Sequence, residues 1–286
     1  LLYDATLCVG CKACEVGCKT QNLKPKFHSE VEEYFGVSKV WDNSRDLDYA
    51  TMNKIKVYKN GTAAVKDREI DGFSFVKRAC MHCFDPDCQS ACPTTALVKD
   101  PEKGYVTYDK DACCGCRYCQ VACQYLIPKF EYHKALPELV KCELCNHVLK
   151  EGGITGCAEW CPTGATIYGK LDDLKAEAHK RLELTSGEVY DFPVRTVDSN
   201  EKKSRPVEKY VKHIYGEKEG GGAQYMMLSA VPFAKLGLPD MPETSGAAKS
   251  ETLQHTIYKG LVVPIILRGG LVTAAYRSTK KHQTDE

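Results

Sequence analysis

Apolar and polar positions along this chain alternate in short bursts rather than in long periods. Ala96-Leu97-Val98 is followed by Asp100-Pro101-Glu102-Lys103-Gly104 and then by the alternating Tyr105-Val106-Thr107-Tyr108. A short apolar run, a Pro/Gly turn and a period-two run predict a β-hairpin. Leu1-Leu2-Tyr3 and Thr166-Ile167-Tyr168 read as two more strands, and they predict a second pairing of the same kind across the chain. Ile55-Lys56-Val57-Tyr58 with Asn60-Gly61 behind it is a hairpin signal, and Phe73-Ser74-Phe75-Val76 is its returning strand. Leu171, Leu174, Ala178 and Leu182 have helical spacing, so residues 171–183 should dock one face on a core. From about 184 to 250, Gly, Pro and charge break every period, as at Glu219-Gly220-Gly221-Gly222. That composition predicts an irregular extension lying over a partner's surface.

One apolar stretch is long. Ile257 to Tyr276 suffices to cross a bilayer, with Arg268 in its middle and Gly269-Gly270 behind it. A central Arg costs roughly 2.5–3.5 kcal/mol on insertion scales, so this span needs a neighbouring membrane subunit to satisfy it. Arg277, Lys280, Lys281 and His282 crowd the far end, which the positive-inside rule makes cytoplasmic. The rest of the chain then stands on the opposite, periplasmic face of an inner membrane. Reaching that face with cofactors loaded calls for a folded-protein, twin-arginine route. No such leader precedes Leu1, so a leader would be removed or lie outside this sequence.

Cysteine changes the picture most. There are 17 in 286 residues, and sixteen form four groups. They are Cys8, Cys11, Cys14 and Cys18; Cys80, Cys83, Cys88 and Cys92; Cys113, Cys116, Cys119 and Cys123; and Cys142, Cys145, Cys157 and Cys161. Three cysteines two apart with a fourth three further on suit a cubane iron–sulfur cluster, the fourth reaching a neighbouring cluster. Four groups imply four [4Fe–4S] clusters. A disulfide framework belongs to small secreted domains without a core, whereas 43% of this chain is hydrophobic. Zinc sites separate CxxC pairs by a longer loop and often use His. No Cys-x-x-Cys is followed by His, which leaves covalent haem without support.

The groups pair. Tyr3, Asp4, Cys8, Gly10, Cys11, Cys14, Val16 and Cys18 recur 105 residues later as Tyr108, Asp109, Cys113, Gly115, Cys116, Cys119, Val121 and Cys123. The other two groups share Cys92-Pro93-Thr94 and Cys161-Pro162-Thr163, followed by Ala96 and Ala165. The cross-over rule then assigns Cys80, Cys83, Cys88 and Cys123 to one cluster and Cys92, Cys113, Cys116 and Cys119 to its partner. In the other unit Cys8, Cys11, Cys14 and Cys161 form one set, and Cys18, Cys142, Cys145 and Cys157 the other. Cys114 is a bystander, since using it would break the two-residue spacing. The expected fold is α+β: two pseudo-symmetric, bacterial-ferredoxin-like units with two clusters each. Residues 1–26 with 136–170 form one unit and 77–135 the other. Residues 27–76 are an insertion, 171–250 the partner-contacting extension, and 251–286 a transmembrane helix with its cytoplasmic tail.

The formal net charge is +1. Each oxidised cubane with four thiolates carries about −2, which brings the loaded protein to about −7. Lys12, Lys19, Arg117 and Lys141, beside the ligands, would offset that charge. His82, between Cys80 and Cys83, is expected to pack near a cluster rather than ligate, and Trp160 to shield one. No basic, aromatic-interleaved patch suggests nucleic acid.

The sixteen cysteines together resemble the four-cluster ferredoxin-like subunits that serve molybdopterin oxidoreductases and certain hydrogenases. Residues Tyr215 to Gln224, Val231-Pro232-Phe233 with Leu236 to Pro239, and Gln254 to Leu261 narrow the resemblance. They are similar to the HybA-like iron–sulfur subunits of membrane-bound, quinone-linked [NiFe] hydrogenases. That resemblance implies partners: hydrogenase small and large subunits, a multi-span quinone-binding membrane subunit, and membrane lipid. It implies a relay without catalytic residues of its own. The alternatives are the relay subunit of a periplasmic formate dehydrogenase or related molybdenum enzyme, and a scaffold whose metals are structural.

Overall fold

The computed structural model describes residues 1–22, 46–49, 51–60, 65–132, 134 and 137–282. Residues 27–45 of the expected insertion, and Gly61 of the expected turn, lie outside these. In chain order the elements are β1 (Leu2–Asp4), α1 (Ala13–Gln21), β2 (Lys54–Lys59), β3 (Val65–Lys66), β4 (Gly72–Arg78), α2 (Asp87–Ser90), β5 (Leu97–Lys99), β6 (Val106–Tyr108) and α3 (Tyr118–Ala122). There follow β7 (Lys129–Phe130), β8 (Leu139–Val140), α4 (Asn146–Lys150), α5 (Gly156–Glu159), β9 (Thr166–Tyr168), α6 (Leu171–Glu183), β10 (Val189–Pro193), β11 (Arg195–Thr196), β12 (Lys202–Pro206), β13 (Met226–Leu228) and α7 (Gly246–His282). Helix and strand are mixed throughout. Residues Leu1–Ser245 pack as one unit and Gly246–Glu286 as another.

A four-stranded sheet in the order β11-β9-β1-β13 centres the first unit. β9 runs antiparallel to β1, with Leu2 opposite Ile167, and β13 runs parallel to β1, with Leu2 opposite Met226. Leu2, Ile167, Met226 and Leu228 have no exposed surface. Continuous apolar runs of this kind belong to strands covered on both faces. β5 and β6 make the antiparallel hairpin around Asp100–Gly104, with Leu97 opposite Tyr108. β2 pairs antiparallel with β4, Ile55 opposite Lys77, and β3 joins β4 in parallel. The return strand, Gly72–Arg78, covers the expected Phe73–Val76.

Residues 184–245 differ from the irregular extension read from their composition. They supply the β10–β12 hairpin, β11 and β13, and Tyr225, Met226 and Leu228 are fully buried in the core. Gly and Pro there punctuate strands that pair with distant segments.

The helix α6 lies where its spacing places it and buries Leu174 and Ala178. Arg181 joins them on the buried face, its Nη1 donating to Asp4 Oδ2 at 3.0 Å and its Nε to Glu177 Oε1 at 2.8 Å. Tyr210 Oη donates to the same Asp4 oxygen at 2.6 Å. α7 is a single helix of 37 residues, longer at both ends than the apolar stretch 257–276, with Pro264 inside it. It is long and apolar enough to cross a membrane, and its Leu, Ile and Val side chains are exposed. Those properties are consistent with a membrane anchor.

Candidate iron–sulfur sites

The sixteen cysteines gather in fours, and each four mixes two sequence groups. Cys92, Cys113, Cys116 and Cys119 line one hollow, closed by Leu97, Tyr108, Phe130 and Leu139. Cys8, Cys11, Cys14 and Cys161 line a second, walled by Tyr3, Ile55 and Thr166. Around Cys83 stand Cys80, Cys123 and Cys88, and burial together with these neighbours pushes its thiol well up. Burial raises Cys18 too, joined by Cys142, Cys145 and Cys157.

Local backbone conformation aims these sulfurs. Gly10 and Lys12 have φ of 68° and 60°, and their counterparts in the repeat, Gly115 and Arg117, have φ of 70° and 66°. The left-handed turn between the first two cysteines points a peptide N–H back at the preceding sulfur: Gly115 N–H donates to Cys113 Sγ at 3.5 Å. Being glycine spares Gly10 and Gly115 the strain that an L side chain bears at that φ, as Lys12 and Arg117 bear it. Gly10 needs it for space as well, since a Cβ there would lie 2.3 Å from Phe75 Cε1. Leu144 N–H donates to Cys142 Sγ at 3.3 Å, Ala96 N–H to Cys92 Sγ at 3.3 Å, and Thr166 N–H to Cys161 Sγ at 3.3 Å. Thr94 and Thr163 hydroxyls stand 3.7 Å from the sulfurs of Cys92 and Cys161, so the two Cys-Pro-Thr segments are built alike. Donors of this kind favour a bound thiolate and tune what it binds.

The cages fit a cluster better than a disulfide or a lone ion. All seventeen cysteines are free. Among the described residues no three His, Cys, Asp or Glu side chains converge on a position for one metal ion. Burial pushes the thiols of Cys8 to about 11 and of Cys88 and Cys119 to about 12. Such thiols stay protonated at neutral pH unless a metal's positive charge holds them as thiolates. Four sulfurs around an apolar hollow, supplied with peptide N–H donors, suit a multi-iron cubane.

The surroundings separate the basic residues picked out by sequence. Lys141 is buried, and its Nζ donates to the carbonyls of Val106 and of Cys142, the latter at 3.1 Å. Arg117 instead lies at the surface, 4.8 Å over the Tyr132 ring. His82 is buried and accepts Val106 N–H at Nδ1 at 3.0 Å, which leaves the proton on Nε2. Burial, with Lys141 and Lys99 nearby, holds this imidazole well below its ordinary value and so neutral. Trp160 is 43% exposed and packs on Gly17 at the α1–α5 contact. Cys114 is exposed at the rim of the hollow that Cys113 lines.

Three groups escaped the sequence reading. Asn22 Nδ2 lies 3.8 Å from Cys18 Sγ and 3.6 Å from Cys145 Sγ, bridging two groups. Asn53 Nδ2 donates to Cys14 O at 2.9 Å. Lys77, with no exposed surface, stands beside Cys157 and Cys14. Its signal is the alternation Phe73, Phe75, Lys77, which carries one strand face inward onto a lysine.

A 4Fe-4S dicluster domain family matches residues 72–171. The hydrogenase-2 operon protein HybA of Escherichia coli O157:H7 is 45% identical over 289 residues, covering 100% of this chain and 86% of that protein. The formate dehydrogenase-O iron–sulfur subunit of Escherichia coli strain K12 is 28% identical over 280 residues, covering 96% of this chain and 79% of that protein. The formate dehydrogenase iron–sulfur subunit of Haemophilus influenzae is 31% identical over 194 residues, 66% of this chain and 57% of its own length.

Proposed function

This chain belongs to the HybA family of iron–sulfur electron-transfer subunits, and on that premise we propose that it carries electrons between a [NiFe] hydrogenase small subunit and a quinone-reactive integral membrane subunit. The observation that carries the reading is the gathering of sixteen cysteines into four cages. When bound, a [4Fe–4S] cluster in each cage supplies a one-electron carrier. The residues of the chain hold the cages, keep water from them and fix their spacing.

The cages form a row. Cys88, raised by burial to about 12, has Cys119 among its neighbours, which sets the Cys92/113/116/119 cage beside the Cys80/83/88/123 cage. Cys142, raised by burial, has Cys80 near it, which brings in the Cys18/142/145/157 cage. Cys14, also raised by burial, has Cys157 near it, which adds the Cys8/11/14/161 cage at the far end. Cys116 and Cys11 are exposed, whereas neither inner cage has an exposed cysteine. A row whose fully exposed cysteines lie only in its end cages supports entry at one end and exit at the other. The two units of this reading are ferredoxin-like: the β5–β6 hairpin joins the cages of one, and the β1–β9 pair joins those of the other.

The apolar helix α7, with Arg277 and Lys280 in its C-terminal turns, supports an anchor in the inner membrane with the cages on the periplasmic side. Purification with native partners followed by metal analysis tests the whole reading. The expected result is about sixteen irons per chain, bleached reversibly by dithionite, with nickel in the complex. Molybdenum or tungsten in place of nickel would move the chain to the formate dehydrogenase alternative. Redox-silent zinc would leave it a scaffold.

A further inference from the structure

Lys77 is a buried ammonium with no oxygen to answer it. Its side chain has no exposed surface, and Nζ meets no hydrogen-bond acceptor among the described residues. The Cys157 sulfur stands beside it. Cys14 also lies near it, and the Tyr225 ring centroid is 5.3 Å away. Its charge is also felt at Cys18 and Cys145. Cys14 belongs to one cage, and Cys18, Cys145 and Cys157 to the next. Two other buried or half-buried lysines near the cages are placed differently: Lys141 ends on the carbonyls of Val106 and Cys142, and Lys99 on those of His82, Cys83 and Gly104.

The backbone holds Lys77 where it is. It lies on β4 opposite Ile55, and its carbonyl accepts the Tyr225 hydroxyl at 2.9 Å. Burying an unpaired cation is costly unless negative charge compensates it. Two occupied cages bring that charge, about −2 each when oxidised and one more negative when reduced.

We propose that Lys77 is a positioning residue of the electron path: a fixed cation shared by the Cys8/11/14/161 and Cys18/142/145/157 cages that favours the reduced form of both. It also offsets the repulsion between two reduced neighbours, so that an electron is not held back by one already ahead of it. The transfer makes and breaks no bond. One electron arrives from the adjoining carrier and leaves to the next, and the ammonium keeps its protons. The inference rests on the reading of the cages as clusters.

The test is a redox titration, followed by electron paramagnetic resonance, of the full chain purified with its clusters. Wild type, Lys77→Met and Lys77→Arg are compared at matched iron content. In Lys77→Met two of the four centres should shift to more negative potentials and two should stay, while Lys77→Arg leaves all four near wild type. No shift with the iron intact, or an equal shift of all four, overturns the proposal. If Lys77→Met loses iron, Lys77→Gln is titrated in its place, with the same two shifts expected. Loss of iron from both neutral variants makes Lys77 a structural residue and also overturns it. A wild-type chain short of sixteen irons defeats the four-cluster reading instead, which iron analysis alone reveals.

Discussion

Gly17 and Gly156 face each other so closely that a Cβ on either would lie 2.5 Å from the other's carbonyl oxygen. The contact sets α1 directly on α5 and so brings Cys18 to Cys157. Trp160 Cγ, 2.6 Å from the Gly17 Cβ position, closes the side. Gly17→Ala must push the two helices apart, and overpacking of this kind costs about 1–3 kcal/mol. We expect a lower thermal midpoint and reduced iron content. Gly115→Ala meets only ordinary contacts with Pro137, the nearest at Cδ, 3.6 Å away, so it should bear the backbone strain alone, about 1–2 kcal/mol. Thermal unfolding followed by cluster absorbance compares the two.

Cys113 and Cys114 are adjacent in sequence but placed differently. Cys113 Sγ accepts Gly115 N–H at the cage, and Cys114 is exposed at its rim. Cys113→Ser should lower the iron count by up to one cluster's share, while Cys114→Ser should leave it unchanged. Iron and sulfide assays on the two variants decide the register of the loop, and iron loss in Cys114→Ser would reverse it.

Arg181 and Asp4 form a buried pair, neither side chain having exposed surface. Removing one partner of such a pair strands the other charge, at a cost of about 3–5 kcal/mol. Arg181→Met should therefore destabilise strongly, although its shape fits among Leu174, Ala178 and Phe192. Tyr210→Phe removes one hydrogen bond to Asp4 and should cost about 1–3 kcal/mol. Denaturant unfolding gives both values; equal losses would mean that the ion pair stabilises the fold no more than a single hydrogen bond does.

Asp67 gives a pH dependence with a definite sign. Burial lifts its carboxyl from 3.8 to about 6, despite the Lys66 ammonium beside it. Between pH 4 and 6 the folded chain then holds a proton that the unfolded chain has released, so this group's contribution to stability falls as pH rises through that window. The full difference is about 3 kcal/mol by linkage. Asp67→Asn should be more stable than wild type at pH 7, with the gap closing towards pH 4. Unfolding midpoints at both pH values test it, and a gap that does not close would reject the assignment.

Local signals in the sequence carried the cysteine repeat, the 97–108 hairpin and the buried face of α6, because each is written in residues close together. The Gly10 and Gly115 turns were legible for the same reason: the 105-residue repeat in letters is a repeat in φ. β13 was not. Its parallel partner β1 lies more than two hundred residues away, and a short strand in a Gly- and Pro-rich stretch has no period of its own. Arg181 and Lys77 were missed because a charged side chain in an apolar rhythm reads as solvent-facing. Only the packed structure shows Asp4 waiting for one and the cysteine cages around the other.

The place of β1 between β9 and β13 has a consequence in time. The sheet that walls the Cys8/11/14/161 cage cannot close until Met226–Leu228 has left the ribosome, more than two hundred residues after its first strand. At about 5–20 residues per second, Cys8, Cys11 and Cys14 wait on the order of ten seconds or more for their fourth cysteine and their last strand. On the proposed reading of that cage as a cluster site, loading it is a late event, after translation of nearly the whole compact unit. A chain cut short anywhere before the final strand would keep its first three cysteines open to solvent, which gives the cell a chemical mark of an unfinished copy.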